Sequence, residues 1–438
     1  MIEDILKNPD ERVIRKLSDL EGCFSDKRAF RKLLKRNPVI YRVWVKKFGE
    51  LSFGITKINP GRVGKEFWMT KGHYHLKPSP EIYLLLSGRA VLLMQKGGKS
   101  RKVELEPGRP VLVPPGWAHR VVNPGLEPCL FLAIYPSDAG HDYERIMKEG
   151  GFRERIFSKP ILGLDLGGSY LKAVRMDFGT VERKLKLKTP RGRGAILEKL
   201  DAVIRRLGEA GAIGIAVPGL VKEGRLLKIP NLPELNGFQL RDWLEEKFGL
   251  PTKVENDTNC MTLAEKLWGH GKNAENFIYL SLGTGIGGGL VIQGSLYRGR
   301  GFAGEFGHLN LEPSGLPCSC GSKGCIEEYA SARGIKRLAE ELGLGKLEPE
   351  EIARMKNQKA KEVFRRVSSM LAVIISDLIK ALDPDLVILG GGISKAGQLI
   401  LKPLRQEVRK RTFFSPPQIK LAKLDEWAGA IGAAGLFL

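Results

Sequence analysis

The sequence lacks long hydrophobic runs and contains few cysteines. No stretch approaches the roughly 18 uninterrupted apolar residues that suggest a membrane helix, so we expect no membrane association. The first residues, Met1 to Asp4, are acidic and lack the apolar core of a signal peptide, which favours a cytoplasmic protein. Six cysteines among 438 residues are too few for a disulfide scaffold.

Acidic residues are also in deficit. The chain has 71 Lys and Arg against 49 Asp and Glu, which gives a formal net charge of +22. Residues 1–155 hold 29 Lys and Arg against 18 Asp and Glu, so about half of the excess lies in this shorter part. There is no basic tail and no basic block interleaved with aromatic residues, so nucleic-acid binding is not expected as the function. A diffuse positive surface also suits anionic small substrates.

The length favours two or three domains, and the residue pattern changes along the chain. The apolar spacing of Val13, Leu17 and Leu20 predicts a helix. Short β-rich runs separated by Gly/Pro turns then predict a β-barrel or jelly roll, with runs at 81–87, 90–95, 102–105, 111–113 and 130–135. After a polar junction that ends at Pro160, strands and helices alternate, which indicates an α/β architecture. We predict domains over residues 1–155 and 156–438.

The N-terminal part contains a candidate metal site. His73 and His75 on a strand would place both imidazoles on one face, because side chains alternate along a strand. Glu81 opens the next run, and His119 follows a Pro-Pro-Gly-Trp turn. Three imidazoles and one carboxylate suit Fe, Mn, Ni or Zn with positions left open for substrate. The alternative is that the histidines only pack inside a barrel.

These residues resemble the cupin-type glucose-6-phosphate isomerases of archaea. The resemblance rests on Thr70-Lys71-Gly72-His73-Tyr74-His75 and Asp138-Ala139-Gly140-His141-Asp142-Tyr143, and it extends over roughly residues 50–145. It implies a cupin jelly-roll fold and reversible conversion of glucose 6-phosphate to fructose 6-phosphate. It also implies the metal ligands His73, His75, Glu81 and His119, with Glu81 as a possible base, and sugar-phosphate contacts at Thr70, Gly72, Tyr83, Tyr135 and His141.

The C-terminal part contains three glycine-rich turns, each after a predicted strand. Backbone N–H groups in such turns can bind phosphates. The turns begin at Asp165, Gly283 and Gly390. Asp257 lies where a strand ends and a helix starts, so its carboxylate could accept the proton of a sugar hydroxyl or could only cap the helix.

A histidine and three cysteines lie among these turns. One imidazole and three thiolates, from His308, Cys318, Cys320 and Cys325, are typical of a closed structural zinc site. The zinc would join the segment around Glu305 to the segment around Glu327, and would place Glu305, His308 and Glu327 together for binding sugar hydroxyls.

These motifs resemble the ROK-type sugar kinases across about 161–438. The resemblance rests on Gly304-Glu305-Phe306-Gly307-His308 and Cys325-Ile326-Glu327-Glu328-Tyr329 around the zinc pattern. It implies a two-lobed actin/hexokinase-like fold, Mg-ATP as donor and Asp257 as catalytic base. Sugar would contact Asn231, Asn256, Asp257, Glu305, His308 and Glu327. ATP phosphates or Mg would contact Asp165, Gly167, Gly168, Ser169, Lys172, Gly283, Thr284, Gly285, Gly390, Gly391 and Gly392.

Both resemblances together predict a multidomain, bifunctional enzyme. A hexose kinase makes a hexose 6-phosphate, and the cupin part would isomerise one, so glucose, ATP and hexose 6-phosphates are the expected ligands. The alternatives are a kinase for mannose, fructose or an N-acetylhexosamine, a non-catalytic sugar-responsive regulator, and a single-activity enzyme whose cupin is an interaction module. A homo-oligomer is possible.

Overall fold

The computed structural model describes residues 2–355 and 357–438 and forms two compact units. The first runs to Lys159 and includes Leu438, and the second is Pro160–Phe437. None of the described helices is long and apolar enough to cross a membrane. The first unit consists of α1 (Ile2–Lys7), β1 (Glu11–Lys16), α2 (Lys27–Leu34), β2 (Val39–Phe48), β3 (Leu51–Ile58), β4 (Arg62–Val63), β5 (Glu66–Phe67), β6 (Glu81–Ser87), β7 (Ala90–Lys96), β8 (Lys99–Leu105), β9 (Val111–Val113), β10 (Ala118–Val122), β11 (Cys129–Pro136) and α3 (Tyr143–Lys148).

The first unit is built on two antiparallel sheets. Six strands follow the order β1-β2-β3-β11-β6-β9, and three follow the order β10-β7-β8. The strands predicted between residues 81 and 135 are all present. The helix predicted across Val13 is wrong, because Val13 pairs with Val43 in the sheet and only Leu17–Leu20 form a short 3-10 helix. The pairing of β1 with β2 outweighs the weak helical spacing of the apolar residues in this segment.

The second unit is α/β, as the alternating pattern predicts. Its elements are β12 (Ile161–Leu166), β13 (Tyr170–Asp177), β14 (Thr180–Lys188), α4 (Arg193–Leu207), β15 (Ala212–Val217), β16 (Leu220–Lys222), β17 (Arg225–Lys228), α5 (Leu240–Phe248), β18 (Thr252–Asn256), α6 (Asp257–Trp268), β19 (Phe277–Leu282), β20 (Ile286–Ile292), β21 (Ser295–Tyr297), α7 (Glu327–Ala330), α8 (Ala332–Glu341), α9 (Pro349–Arg354), α10 (Gln358–Leu382), β22 (Leu386–Gly390), α11 (Gln398–Arg411), β23 (Gln418–Leu421) and α12 (Ala428–Gly435).

This unit contains two sheets of the same design. One has the order β14-β13-β12-β15-β18 and the other β21-β20-β19-β22-β23. In both, the first three strands are antiparallel and the last three are parallel. Each sheet has its own hydrophobic core. The unit is therefore a pair of related lobes, a relation that no short repeat in the sequence reveals.

Helix α12 packs unusually close to the first lobe's sheet. A Cβ on Gly163 would lie 2.0 Å from the Ala430 carbonyl oxygen, and one on Gly214 would lie 1.8 Å from the Ala433 oxygen. Real Cβ atoms do not tolerate such distances, so glycine is required at both positions. Helix α12 also packs on α6, the helix that begins at Asp257.

Glu265 anchors the C-terminal end of α6. Its side chain is fully buried, and one carboxylate oxygen accepts hydrogen bonds from the backbone N–H groups of Lys423 and Leu424, both at 2.8 Å. The other oxygen accepts from the His270 N–H at 2.8 Å. Three donors satisfy the buried carboxylate and join α6 to the segment between β23 and α12.

We predict that Glu265→Ala destabilises the protein by about 3 kcal/mol, because it removes the charged acceptor of three partly buried hydrogen bonds. Chemical denaturation checks this. Glu265→Gln is the matched control, since its single carbonyl oxygen retains part of the network and should cost less. Equal stability of the alanine variant and the unmodified chain would contradict the assignment.

Candidate active sites

Four side chains converge inside the first unit. Glu81 Oε2 lies 2.7 Å from His119 Nε2, 3.1 Å from His75 Nε2 and 3.9 Å from His73 Nε2. One ligand atom from each residue lies within 4.8 Å of the other three. The sheets supply this geometry, because Glu81 opens β6 and His119 is the second residue of β10. The structure therefore brings all four predicted ligands together.

The strand predicted for His73 and His75 is wrong. His73 makes one isolated bridge to His119 and Tyr74 one to Asp142, and no ladder continues on either side. Gly72, at φ +78°, turns the chain immediately before this segment. The two imidazoles still lie close together, with ring centroids 5.3 Å apart.

The chemistry of this cluster fits a divalent metal. The buried Nε2 atoms of His73 and His119 make no hydrogen bond of acceptable geometry within the described chain. The opposite ring nitrogens of His75 and His119 lie 3.0 and 3.1 Å from the carbonyl oxygens of Gly140 and Trp117, which directs Nε2 toward the cluster. Burial lowers the pKa of His73 well below its usual value, which favours the neutral imidazole that a metal requires. Burial alone would raise the pKa of Glu81, but His119 and His75 lower it well below its usual value.

The other residues predicted for this site surround the cluster. The His141 ring lies 4.3 Å from His73 and 5.4 Å from Tyr135, and Tyr83 lies 5.7 Å from His119. Thr70 and Gly72 precede His73 in the same segment, although the Thr70 hydroxyl accepts a hydrogen bond from the Val121 N–H at 3.0 Å. Sugar-sized groups entering here would meet aromatic rings on several sides.

A group of residues that the sequence did not assign lies beside the cluster. The Tyr143 ring is 5.5 Å from His73. The Lys71 ammonium and the Arg15 guanidinium lie 5.5 and 5.9 Å from the centre of that ring. Tyr143 ends the second isomerase-like motif, but nothing in the sequence connects it with Arg15, which comes from β1 at one edge of the six-stranded sheet. The two cations form a positive region next to the candidate metal site.

The second unit contains a cavity of about 920 Å³. All the predicted sugar residues line it, and so does the Gly283–Gly285 turn: Asn231, Asn256, Asp257, Glu305, His308, Glu327, Gly283, Thr284 and Gly285. A cleft with polar groups from both lobes is suited to a hydroxyl-rich ligand.

Asp257 has the electrostatics of a proton acceptor. It is the first residue of α6, and its Oδ1 accepts a 2.7 Å hydrogen bond from the Thr258 N–H. Burial raises its pKa to about 6. The helix cap itself is Asn256, whose Oδ1 accepts from the Asn259 N–H at 3.0 Å. Asp257 is thus not needed as the cap, so the capping alternative for this carboxylate is not supported.

Glu327 and Gly285 depend on each other. A Glu327 carboxylate oxygen accepts a 2.9 Å hydrogen bond from the Ile286 N–H. A Cβ on Gly285 would lie 2.5 Å from this oxygen, so a larger residue would require the carboxylate to move. The Gly283–Gly285 turn and Glu327 are therefore in direct contact.

The two ring nitrogens of His308 face two different candidate sites. Its Nδ1 lies 3.6 Å from Cys318 Sγ, and Cys320 Sγ lies 3.6 Å from Cys325 Sγ. The four ligand atoms lie within 4.8 Å of one another, as a tetrahedral zinc site requires. Its Nε2 faces Glu305, at 3.9 Å from a carboxylate oxygen, in the cavity. The same imidazole can therefore bind a metal and a sugar.

The remaining predicted phosphate residues do not line this cavity. Five of them surround the turn between β12 and β13: Asp165, Gly167, Gly168, Ser169 and Lys172. Gly390 ends β22, and Gly391 and Gly392 follow it. The first group is adjacent, because a Cβ on Gly168 would lie 2.8 Å from the Asn231 Cβ. Lys172 Nζ donates to the Glu426 carbonyl oxygen at 2.9 Å and lies 4.0 Å from Asp165. Burial, together with Asp257, raises the pKa of Asp165 to about 7.

Glu255 is a positioning residue to which the sequence assigned no role. One of its oxygens accepts hydrogen bonds from the Asn256 N–H and the Asn259 side chain, both at 3.0 Å. The other lies 2.5 Å from Arg298 Nε. Glu255 therefore orders the start of α6 from outside the cavity.

Family models match both parts of the chain. The model described as glucose-6-phosphate isomerase matches residues 14–162, and the model described as ROK family matches residues 161–438. The glucose-6-phosphate isomerase of Thermococcus gammatolerans is 48% identical over 164 residues, which are 36% of this chain and 82% of that protein.

The chain belongs to the glucose-6-phosphate isomerase and ROK families. It is a fusion of an archaeal-type isomerase domain with a ROK domain that resembles glucokinases. The ROK family glucokinase of Streptomyces griseus, solved with glucose and AMPPNP, is 34% identical with a TM-score of 0.57, covering 63% of this chain and 98% of that chain. The ROK kinase fold of the second unit is thus established.

The ROK family also includes proteins that regulate transcription. A ROK family transcriptional regulator described as a homologue of the E. coli MLC protein is 25% identical with a TM-score of 0.59, covering 67% of this chain and 82% of that chain. Family membership alone therefore does not distinguish a kinase from a regulator. The residues of the cavity are the evidence that bears on this question.

Proposed function

We propose that this chain phosphorylates glucose with ATP and then isomerises the product, glucose 6-phosphate, to fructose 6-phosphate. The kinase would occupy residues 156–438, and the isomerase residues 1–155, with its two sheets forming a cupin jelly roll. The observation that carries the proposal is that one chain holds two complete polar sites, the Asp257 cavity and the His73/His75/Glu81/His119 cluster. The product of one reaction is the substrate of the other.

In the kinase, Asp257 accepts the proton of the sugar hydroxyl as its oxygen attacks the γ-phosphate. Asn231, Asn256, Glu305, His308 and Glu327 hold the other hydroxyls. This orientation supplies much of the rate, because phosphoryl transfer depends on positioning and electrostatic stabilisation. Mg-ATP would contact the Gly283–Gly285 turn and Asp165 with its neighbouring glycines. Zinc on His308, Cys318, Cys320 and Cys325 would keep His308 Nε2 directed at the sugar.

In the isomerase, His73, His75, Glu81 and His119 would hold a divalent Fe, Mn, Ni or Zn ion. Such an ion would polarise the sugar carbonyl and hold the oxygens on C1 and C2, the two carbons between which a hydrogen moves. Glu81 is the candidate base for moving a proton between C1 and C2. Arg15, Lys71 and Tyr143 are suited to the phosphate dianion, and Tyr83, Tyr135 and His141 would enclose the sugar.

A second candidate function is that of a sugar-responsive regulator, which the similarity to a ROK transcriptional regulator favours. The half-buried Asp257, whose pKa is raised, lies beside five other predicted sugar residues, and this supports a kinase instead. Glucose as the acceptor rests on the fusion with an isomerase family that is named for glucose 6-phosphate. Mannose, fructose and N-acetylhexosamines are the alternatives.

A time course of both hexose phosphates tests the proposal. Purified chain is incubated with glucose, ATP, Mg and a divalent transition metal, and we expect glucose 6-phosphate first and fructose 6-phosphate later. Asp257→Asn should lower phosphorylation roughly 100-fold or more, because it removes the base, yet it should still isomerise added glucose 6-phosphate. No turnover of any hexose, with no isomerisation of glucose 6-phosphate, would support the regulator.

The kinase should also lose activity in acid. The raised pKa of Asp257, about 6, and that of Asp165, about 7, mean that both carboxyls take up protons as the pH falls. A protonated base cannot accept the sugar proton, so kcat/KM for the sugar should decline as the pH drops through 7 to 6. Circular dichroism of the same samples provides the control for loss of structure. A profile that stays flat down to pH 5 would contradict the role of Asp257.

A further inference from the structure

Helix α2 presents a cationic surface that neither proposed reaction uses. The helix spans Lys27–Leu34, and two further cations follow it directly. Six cations therefore lie within ten residues, and most of them are exposed: Lys27, Arg28, Arg31, Lys32, Lys35 and Arg36. No carboxylate lies within ion-pair distance of any of them in residues 2–355 and 357–438. We call this set the α2 face.

The α2 face is separated from the apolar side of the helix. Phe30 is buried, and Leu33 and Leu34 are half-buried, so the helix is anchored to the unit by one side. At 100° per residue, the four cations within the helix, Lys27, Arg28, Arg31 and Lys32, lie on the opposite side of the helical circumference. The charges therefore face solvent together.

Like charges lie close together on α2. Two like-charged pairs stand at i,i+4 within the helix, Lys27/Arg31 and Arg28/Lys32, and such pairs destabilise a helix. Several cations of other helices have an acidic partner at this spacing, as in Lys7–Glu3, Arg205–Asp201 and Arg366–Glu362. A group of like charges that lacks such partners is suited to an external anion.

The residue types exposed on the α2 face indicate which class of partner it can bind. Peripheral membrane helices insert apolar side chains, but every apolar residue of α2 is buried or half-buried. Protein interfaces are centred on aromatic and apolar groups and are depleted in lysine, and binding of single strands uses exposed aromatic rings for stacking. The α2 face has none of these. Its cations span roughly 13 Å of helix, and a nucleic-acid duplex offers one phosphate charge per about 1.7 Å.

We propose that the α2 face binds the phosphate backbone of a nucleic-acid duplex without reading its sequence. This interaction is additional to the two reactions and independent of them. Because it depends on cations confined to the α2 face, the overall charge of the chain does not reveal it. The six cations lie outside both candidate active sites.

The test is the salt dependence of binding to a labelled DNA duplex of random sequence, measured by fluorescence anisotropy with the full chain. The variant carries Arg28→Gln, Arg31→Gln, Lys32→Gln and Arg36→Gln, which retain helix propensity. The matched control carries Arg365→Gln, Arg366→Gln, Lys380→Gln and Lys410→Gln, whose cations are paired with Glu362, Asp377 and Glu407. Both variants lower the net charge by four.

The α2 variant should bind the duplex roughly tenfold more weakly or worse at low salt, and the slope of log K against log salt should decrease by about 0.9 for each phosphate that is no longer neutralised. The control should bind like the unmodified chain, and the α2 variant should melt at an equal or higher temperature because repulsion is removed. Equal weakening in both variants would show diffuse charge and overturn the proposal. Preference of the unmodified chain for anionic vesicles or polyglutamate over the duplex, or a large decrease in melting temperature, would also overturn it.

Discussion

Both sites in this chain depend on taking carboxylates out of water. Glu81 is 2% exposed, and Asp257 is half-buried at the start of α6. Burial of a carboxylate is costly unless charge or hydrogen bonds compensate it. Imidazoles compensate Glu81, whereas the donors to Asp257 among the described residues are the N–H and the hydroxyl of Thr258. The imidazoles lower the pKa of Glu81, which keeps it ionised as a metal ligand must be. The environment of Asp257 raises its pKa toward neutrality, which suits a general base.

The supporting structure follows from these requirements. Glu255 contacts the start of α6, and Glu265 anchors its C-terminal end. Helix α12 packs against α6. In the other unit, the Gly140 and Trp117 carbonyl oxygens orient the imidazoles that surround Glu81. His308 joins a candidate zinc site to the candidate sugar cavity through opposite ring nitrogens. Each candidate catalytic group is thus held by a second layer of polar contacts.

Much of this arrangement could be predicted from the sequence, because the chemistry lies in short motifs. The spacing of the cysteines with His308, and that of the histidines with Glu81, identifies both clusters before any fold is known. Short β-rich runs also located five of the eleven strands described in the first unit. Contacts between distant segments could not be predicted: Arg15 approaches Tyr143, and Arg298 approaches Glu255, only after the sheets form. Local spacing failed at Val13 and at His73, where pairing with a distant strand or a preceding glycine turn decides the backbone.

The central claim is that two independent active sites act in sequence on one chain. The most direct test uses a variant with His73→Ala and His75→Ala, supplied with glucose and ATP, with bound transition metal and both hexose phosphates quantified. We predict that the isomerase metal is lost, that glucose is consumed at the same rate as by the unmodified chain, and that the reaction stops at glucose 6-phosphate. Continued formation of fructose 6-phosphate, or loss of phosphorylation in a folded variant, would contradict the account.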